Sequence, residues 1–349
     1  MKHRTIHIGR RVVGGSNPVL VVAELSGNHN GDIKRAFKII DAAADAGADA
    51  VKFQTYTPDT ITIDSDTAPF RVHWQGKRRT LYDLYSEAYT PWEWHARLFA
   101  HAKKRGLLAF SAPFDTTAVT FLEKLNVPCH KVASFEVVDI PLLEAIGKTK
   151  KPVIMSRGMA SVEEIRLALQ TLRKSGTKDI ILLHCVSAYP ARPADMRLST
   201  IPDMRSRFGT QVGLSDHTPG TDVAVAAVAL GATLVEKHLT LRRADGGPDS
   251  GFSLEPEEFA ALVRSVRTAA AAIGTPSYVQ GTDEKKNIVF RKSLFVVRDV
   301  KKGERFTPDN VRSIRPGNGL APKFYRSVLG KRAARDIKRA TPLSKHLLA

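Results

Sequence analysis

Two lysines stand inside runs that are otherwise apolar, Lys52 in AVKFQ and Lys131 in HKVAS. An ammonium group taken out of water is costly unless an anion meets it, so each lysine implies a negative partner. That partner can be internal, a neighbouring acid such as Glu24 or Glu236, or it can be a bound phosphate or carboxylate. For either lysine alone both readings stand. The pair, joined by hydroxyls at comparable places (Ser111, Ser134, Ser156, Ser215), points to an anion site. Gln54 shares the run of Lys52, and Ser187 and Tyr189 follow the run ending at Cys185. His217 and His238 end two successive runs, and imidazoles one strand apart can share a divalent ion while leaving positions for water and substrate. They can equally be hydrogen-bonded structural histidines, because no HxH or HExxH spacing marks them. Glu24, in AELSGNHNG, is the candidate for proton handling, since a carboxylate beside lysines and a metal can be tuned in either direction. Its plainer role is charge balance for Lys52. The glycine-rich segment RRADGGPDSGFSLEP has the composition of a substrate loop or of a long connection.

These residues need a frame that brings distant runs together. The first 270 or so residues alternate short β-branched runs with Ala-rich stretches of helical period. Strands are expected at Pro18–Leu25, Ala50–Gln54, Leu107–Ala112, His130–Ser134, Pro152–Ser156, Asp179–Cys185, Thr210–Ser215 and Ala232–His238. Amphipathic helices are expected between them, among others at Ile33–Ala46, Trp92–Arg105, Ala118–Leu125, Ser161–Ser175 and Thr221–Leu230. Ser161 with Glu164 has the spacing of a capping box, and Gly47, Gly106, Gly176 and Gly231 stand where helices stop. Eight such units predict a (β/α)8 barrel in preference to a doubly wound sheet, and in a barrel the chemistry gathers at the C-terminal strand ends. The polar stretch GTPSYVQGTDEKKN (274–287) reads as a linker, and the domain reading is a barrel over 1–275, a linker over 276–290 and a small β-rich unit over 291–349.

Composition narrows the class further. With 43% hydrophobic and 25% charged residues among 349, the chain has the balance of a globular protein with a sizeable core. No run approaches the ~18 uncharged apolar residues of a membrane helix. The basic N-terminus MKHRTIHIGRRVV lacks the apolar segment of a secretory signal. The two cysteines, Cys129 and Cys185, lie in apolar runs without ligand or disulfide spacing, as expected of reduced thiols in a cytoplasmic protein. The net charge of +18 is unevenly placed: residues 285–349 hold 18 Lys and Arg against four acids, which leaves +4 for residues 1–284. An anionic partner near the C-terminal unit is therefore expected, but no aromatic-basic RNA signature or DNA-reading helix accompanies the charge.

AELSGNHNG, AVKFQTYTPDTIT, KVASFE, GLSDHT, EKHLTL and GPDSGFSLEP, in this order, resemble the sialic acid synthase family. RKSLFVVRDVKKGE and IRPGNGL resemble the antifreeze-like (SAF) domain that follows the barrel in that family, so the likeness spans about Leu20–Pro342. Leu81–His95 and Asp245–Pro256 are most similar to its pseudaminic acid synthase branch. The resemblance implies a metal-dependent condensation of phosphoenolpyruvate with 2,4-diacetamido-2,4,6-trideoxy-L-altrose and water. Its alternative is the same chemistry on a mannose-type acceptor, giving N-acetylneuraminate or legionaminate. It further implies that His217 and His238 hold Mn²⁺, Mg²⁺ or Co²⁺, and that Glu24 deprotonates water or a sugar hydroxyl. Lys52, Lys131, Ser134, Ser156 and Ser215 match phosphoenolpyruvate-binding positions; Ser187, Tyr189 and Asp249 match sugar-contacting ones. Arg291, or else Lys292, matches an arginine that reaches the active site of the other subunit in a domain-swapped homodimer. Two departures stand out: Arg157 replaces the threonine of the family's STGM, and Ala112 stands where some relatives carry a hydroxyl, which affects the reading of Ser111.

Overall fold

Runs buried along their whole length must be covered on both faces, and eight of the expected runs behave in this way or nearly so. The computed structural model describes residues 4–74 and 76–349, and the chain divides into two compact units, Met1–Gly274 and Thr275–Ala349. In the first, β1 (Ile6–Ile8) and β2 (Arg11–Val13) form an antiparallel hairpin ahead of β3 (Leu20–Glu24) and β4 (Ala50–Thr55). A second hairpin, β5 (Arg71–Trp74) and β6 (Lys77–Thr80), precedes β7 (Leu108–Pro113), β8 (His130–Val132) and β9 (Val153–Ser156). Then come β10 (Ile180–Cys185), β11 (Gln211–Asp216) and β12 (Leu234–His238). The strands β3, β4 and β7–β12 pair in parallel and close into an eight-stranded barrel, β12 returning to β3 with His238 opposite Glu24.

Eight helices cover the barrel wall: α1 (Ile33–Asp45), α4 (Trp92–Lys104), α5 (Thr116–Lys124), α6 (Ile140–Lys148), α7 (Val162–Ser175), α8 (Thr200–Phe208), α9 (Asp222–Ala229) and α10 (Pro256–Ile273). The short α2 (Pro58–Ile61) and α3 (Leu81–Ala88) lie with the β5–β6 hairpin in one long excursion between β4 and β7. The capping box expected at Ser161 is formed: its hydroxyl accepts from the Glu164 N–H, and the Glu164 carboxylate accepts from the Ser161 N–H at 2.7 Å.

The strand period of two sorts the side chains. Leu20 and Val22, Ala50, Leu108 and Phe110, Ile154, Ile181 and Leu183, and Leu234 form one cluster with the β1–β2 hairpin, filling the lower barrel from inside. The alternate residues, among them Val21, Val51, Phe53, Val153, Leu182, Val212 and Val235, pack outward against the helices. Gly213 belongs to the inner set; a Cβ there would lie 2.5 Å from the Leu234 carbonyl and 2.7 Å from Leu183, so only glycine lets the strands approach.

The second unit is built on β13 (Ser293–Val296) paired antiparallel with β14 (Val311–Ile314), around a core that includes Leu294, Val300, Phe306, Val328, Ile337 and Leu343. The stretch 276–290, expected as a linker, carries α11 (Thr282–Lys286) and a 3₁₀ turn at Asn287–Phe290. The Val289 carbonyl accepts from the Gly317 N–H at 2.8 Å, so the end of that stretch is tied into the small unit. The short α12 (Tyr325–Val328) lies further along the same unit. No helix among the described residues is long and apolar enough to cross a membrane.

At the lower end of the first unit, buried Asp49 gathers three segments. Its carboxylate accepts from the Val21 N–H at 2.9 Å and from Arg267 of α10 at 2.7 Å, and lies 3.0 Å from Arg11 of the hairpin. Removing a buried acid leaves its partners without a counter-charge. Asp49→Ala is expected to cost about 2–4 kcal/mol, seen as a fall in the thermal midpoint, with Asp49→Asn costing less because it still accepts from Val21. A midpoint unchanged in Asp49→Ala contradicts this anchoring role.

Candidate active site

Along most inward rows the residues turn from apolar to polar as the strand nears its C-terminal end, the row of Leu108, Phe110 and Ala112 being the exception. Leu20 and Val22 lead to Glu24; Ala50 leads to Lys52 and Gln54; Ile154 leads to Ser156; Leu183 leads to Cys185; Gly213 leads to Ser215; Leu234 leads to Glu236 and His238. These polar ends floor a cavity of about 600 Å³. Lys52, Gln54, Lys131, Ser134, Ser156, Ser187, Tyr189, Ser215, His217, His238 and Asp249 all line it, and Glu24 lies beneath Lys52, fully buried.

The floor is a chain of alternating charge. Lys52 Nζ is 2.8 Å from Glu24 Oε2 and 3.4 Å from Glu236 Oε1, and Lys131 Nζ is 4.0 Å from the same Glu236 oxygen. The two alternatives that the lysines pose in sequence are therefore both realised: they pair with acids, and they face a cavity. Lys131 also donates to the Ser156 hydroxyl at 2.8 Å and to the Val132 carbonyl at 2.9 Å. Burial pushes Glu24 above the usual carboxylate range, and the attraction of Lys52 only partly offsets it. Burial presses Glu236 the same way, yet Lys131 and Lys52 on either side hold it below that range. Lys52 resists its own burial because two carboxylates surround it, and it titrates above an ordinary lysine. Lys131 has weaker compensation, so burial lowers it. The two carboxylates are thus driven apart, which is how one site holds both an acid and a base.

A hydrogen-bonded row runs across the floor. Gln54 Nε2 donates to Glu24 at 3.2 Å and to the Ser26 hydroxyl at 3.0 Å, and Ser26 donates to Asp249. Ser26 has φ of 47°, a left-handed conformation that a non-glycine residue holds at some cost, and its hydroxyl contacts Asp249 as a result. Ser187 donates to the Ser134 hydroxyl at 2.8 Å. Gly158 has φ of +50°, and a Cβ on it would lie 2.4 Å from that of Ser134, so the loop after β9 needs glycine to lie so close.

The two histidines meet with ring centroids 5.4 Å apart, between the aromatic rings of Tyr189 and Phe252. His217 Nδ1 hydrogen-bonds the Val186 carbonyl at 3.0 Å, which leaves the Nε2 lone pair free to coordinate. Burial opposes a charge on His217, but the neighbouring Cys185 thiol and that carbonyl outweigh it and raise its affinity for a proton. Burial and the adjacent His217 keep His238 well below an ordinary histidine, which favours the neutral ring with one nitrogen lone pair available. His238 Nδ1 and Glu236 Oε2 are buried without a hydrogen-bond partner among the described residues. No group of three or more His, Cys, Asp or Glu is spaced to hold a metal among the described residues. Two imidazoles side by side, with His238 Nδ1 unpartnered among the described residues, are a two-donor set that fits a divalent ion whose other positions would be filled by water or substrate.

Ser111 does not reach the cavity. It sits between inward Phe110 and Ala112, so it faces the helices, where its hydroxyl is 2.6 Å from Thr55, itself 2.8 Å from His95 Nε2. The expectation that it binds substrate misplaces it by one residue of strand register. Arg157 is directed at His184 Nδ1, 3.0 Å away, and not at the cavity floor. Arg291 belongs to the second unit, where it is exposed. Among the cavity-lining residues that sequence reasoning did not assign, Ser26 and Glu136 carry chemistry. Ser26 needs its backbone angle to be seen. Glu136 lies in the KVASFE motif, has a buried Oε2 without a partner among the described residues, and is pushed up to about 7 by burial against the pull of Lys131.

Comparison with known proteins accords with this geometry. The NeuB family model matches residues 39–278 and the SAF domain model residues 291–349. A pseudaminic acid synthase of Campylobacter jejuni is 45% identical over 325 residues, covering 92% of this chain and 94% of that protein. A pseudaminic acid synthase of Helicobacter pylori is 42% identical, covering 94% and 97%. The crystal structure of an N-acetylneuraminic acid (sialic acid) synthetase from Leptospira borgpetersenii, in complex with citrate, superposes with a TM-score of 0.74 at 34% identity, covering 82% of this chain and 95% of that one. With a closed barrel whose polar strand ends floor one cavity, and with matches of this extent, the chain belongs to the NeuB family and carries a C-terminal SAF domain.

Proposed function

We propose that the chain is a transferase that condenses phosphoenolpyruvate with 2,4-diacetamido-2,4,6-trideoxy-L-altrose and water to give pseudaminic acid and phosphate. The observation that carries the reading is the cavity floor, where two buried lysines and a row of hydroxyls face two imidazoles across one space. Identity of 42–45% to pseudaminic acid synthases, against 38% to an N,N'-diacetyllegionaminic acid synthase, supports the choice of acceptor.

The residues divide the work as follows. Lys131, fixed by Ser156 and Val132, and Lys52 grip the phosphate and carboxylate of phosphoenolpyruvate, with Ser134 and Ser215 completing the cradle. Gln54, Ser187, Tyr189 and Asp249 orient the sugar so that its aldehyde carbon meets C3 of the enol ether. A divalent ion (Mn²⁺, Mg²⁺ or Co²⁺) held by His217 and His238 would supply Lewis-acid polarisation of the aldehyde oxygen. As the new C–C bond forms, C2 becomes cationic, and water adds to it with loss of a proton to Glu24. Burial already favours the protonated form of Glu24, and Lys52 loses only one of its two carboxylate partners when it forms. Cleavage of the C2–O bond of the resulting tetrahedral intermediate releases phosphate and leaves the keto acid.

Charge raises a further requirement. The cavity presents Lys52 and Lys131 together with Glu236, Glu136 and Asp249, so the barrel alone offers little net positive charge to a multiply charged anion. A divalent ion held by His217 and His238 would supply part of it. The strongly basic second unit supplies the rest through Arg291 of the partner subunit, in a homodimer.

Phosphate release with phosphoenolpyruvate and each acceptor tests the reading. Turnover is expected with the altrose-type sugar, and preference for a mannose-type sugar overturns the assignment. His238→Ala is expected to lower kcat/KM by at least about 10²-fold and to lower the metal content of the purified protein. Full activity with no bound metal contradicts the metal role. Arg291→Ala and His238→Ala are each expected to be inactive alone, and mixing them is expected to restore activity, because one mixed site has both residues. Full activity of Arg291→Ala removes its role, and no recovery on mixing places it in its own subunit.

A further inference from the structure

The cavity has two unlike sides, and only the polar one takes part in the chemistry above. The other comes from the excursion between β4 and β7, with inward side chains Ile61, Val72, Trp74, Leu81 and Leu84, joined by Phe114. Val72 and Trp74 are two apart on β5, so they share one face of the hairpin, while Arg71 and His73 between and beside them are exposed. The excursion is fastened across the mouth: Trp74 Nε1 donates to the Pro248 carbonyl at 3.0 Å, and its ring lies 5.9 Å from that of Tyr189. Two arginines of the hairpin are met by acids elsewhere in the excursion, Arg71 by Asp66 at 2.8 Å and Arg79 by Glu87 at 2.7 Å. Among the described residues, the side chains that this excursion and Phe114 bring to the cavity wall are apolar apart from the hydroxyls of Tyr56 and Tyr85 and the Trp74 indole N–H, which is already taken by Pro248.

An acceptor sugar enters such a space in one orientation. Its reacting aldehyde carbon belongs at the floor, near the imidazoles and the lysines, so the open chain extends away from the floor and brings its far end to the roof. We infer that the 56–88 excursion is the element that selects the acceptor, its aliphatic face receiving the C6 methyl and the acetamido methyl groups of a deoxy sugar. The inference rests on the function proposed above and specifies the acceptor class that the same cavity prefers. A hydroxymethyl group at C6 would give up hydrogen bonds to water on entering and find none on the aliphatic wall. A methyl group there gains by leaving water. The selection is therefore for 6-deoxy, N-acetylated acceptors against their 6-hydroxy counterparts of the same configuration.

The test uses the full-length protein with phosphoenolpyruvate, the trideoxy sugar and its 6-hydroxy counterpart, comparing the unaltered chain with Val72→Thr and Ile61→Thr. Both substitutions keep a β-branched side chain, and thermal midpoints and the KM for phosphoenolpyruvate check that fold and floor are intact. The unaltered chain is expected to favour the 6-deoxy sugar in kcat/KM by about 10–100-fold. Each variant is expected to narrow that preference several-fold through the KM of the sugar, leaving the KM of phosphoenolpyruvate unchanged. Equal turnover of the two sugars by the unaltered chain overturns the inference, as does an undiminished preference in two folded variants. Failure to turn over any trideoxy sugar is a different result, which overturns the proposed function itself and this inference with it.

Discussion

Lys52 lies 2.8 Å from Glu24 and 3.4 Å from Glu236 with all three side chains buried, and a charge held so deep constrains everything around it. Desolvation alone would neutralise each member, and it is their alternation, continued to Lys131, that keeps charge in the barrel. The order also breaks the symmetry between the two acids. Glu236, flanked by both lysines, stays ionised more readily than a free carboxylate, whereas Glu24, at the end of the chain, is shifted the other way. A proton can be accepted at one end without undoing the other.

The barrel produces this order through the strand period. Inward rows are apolar from Leu20, Ala50, Ile154, Ile181 and Leu234 through the lower half, and then polar at the rim, so one closed sheet serves as both core and floor. The outward set follows its own rule: Asp216 and Lys237, one residue from His217 and His238 respectively, turn away and pair with each other at 2.7 Å. Charged neighbours in sequence thus belong to two separate networks, one structural and one facing the cavity.

That same period decides what could be read from sequence. All eight barrel strands were legible because both of their faces are buried, which leaves continuous apolar runs bounded by glycine and polar loops. Lys52, Lys131, His217 and His238 were legible because charge and imidazole are rare within such runs. Ser111 misled because a small hydroxyl fits either face, and only the inward Phe110 and Ala112 beside it fix its direction. Ser26 was out of reach, since its place depends on a positive φ in a non-glycine residue. Glu136 sat in a recognised motif but beyond the strand, in a 3₁₀ turn that no pattern of alternation announces. The hairpins β1–β2 and β5–β6 are three and four residues per strand, too short for periodicity to register.

The account requires that ion and anion occupy opposite parts of one floor. A crystal structure of the protein with Mn²⁺ and phosphoenolpyruvate, using the anomalous signal of the metal, addresses this directly. The predicted result is a single strong peak within bonding distance of His217 and His238, with the phosphate against Lys131 and Ser156. A peak remote from both imidazoles, or a phosphate bound away from the buried lysines, contradicts the account.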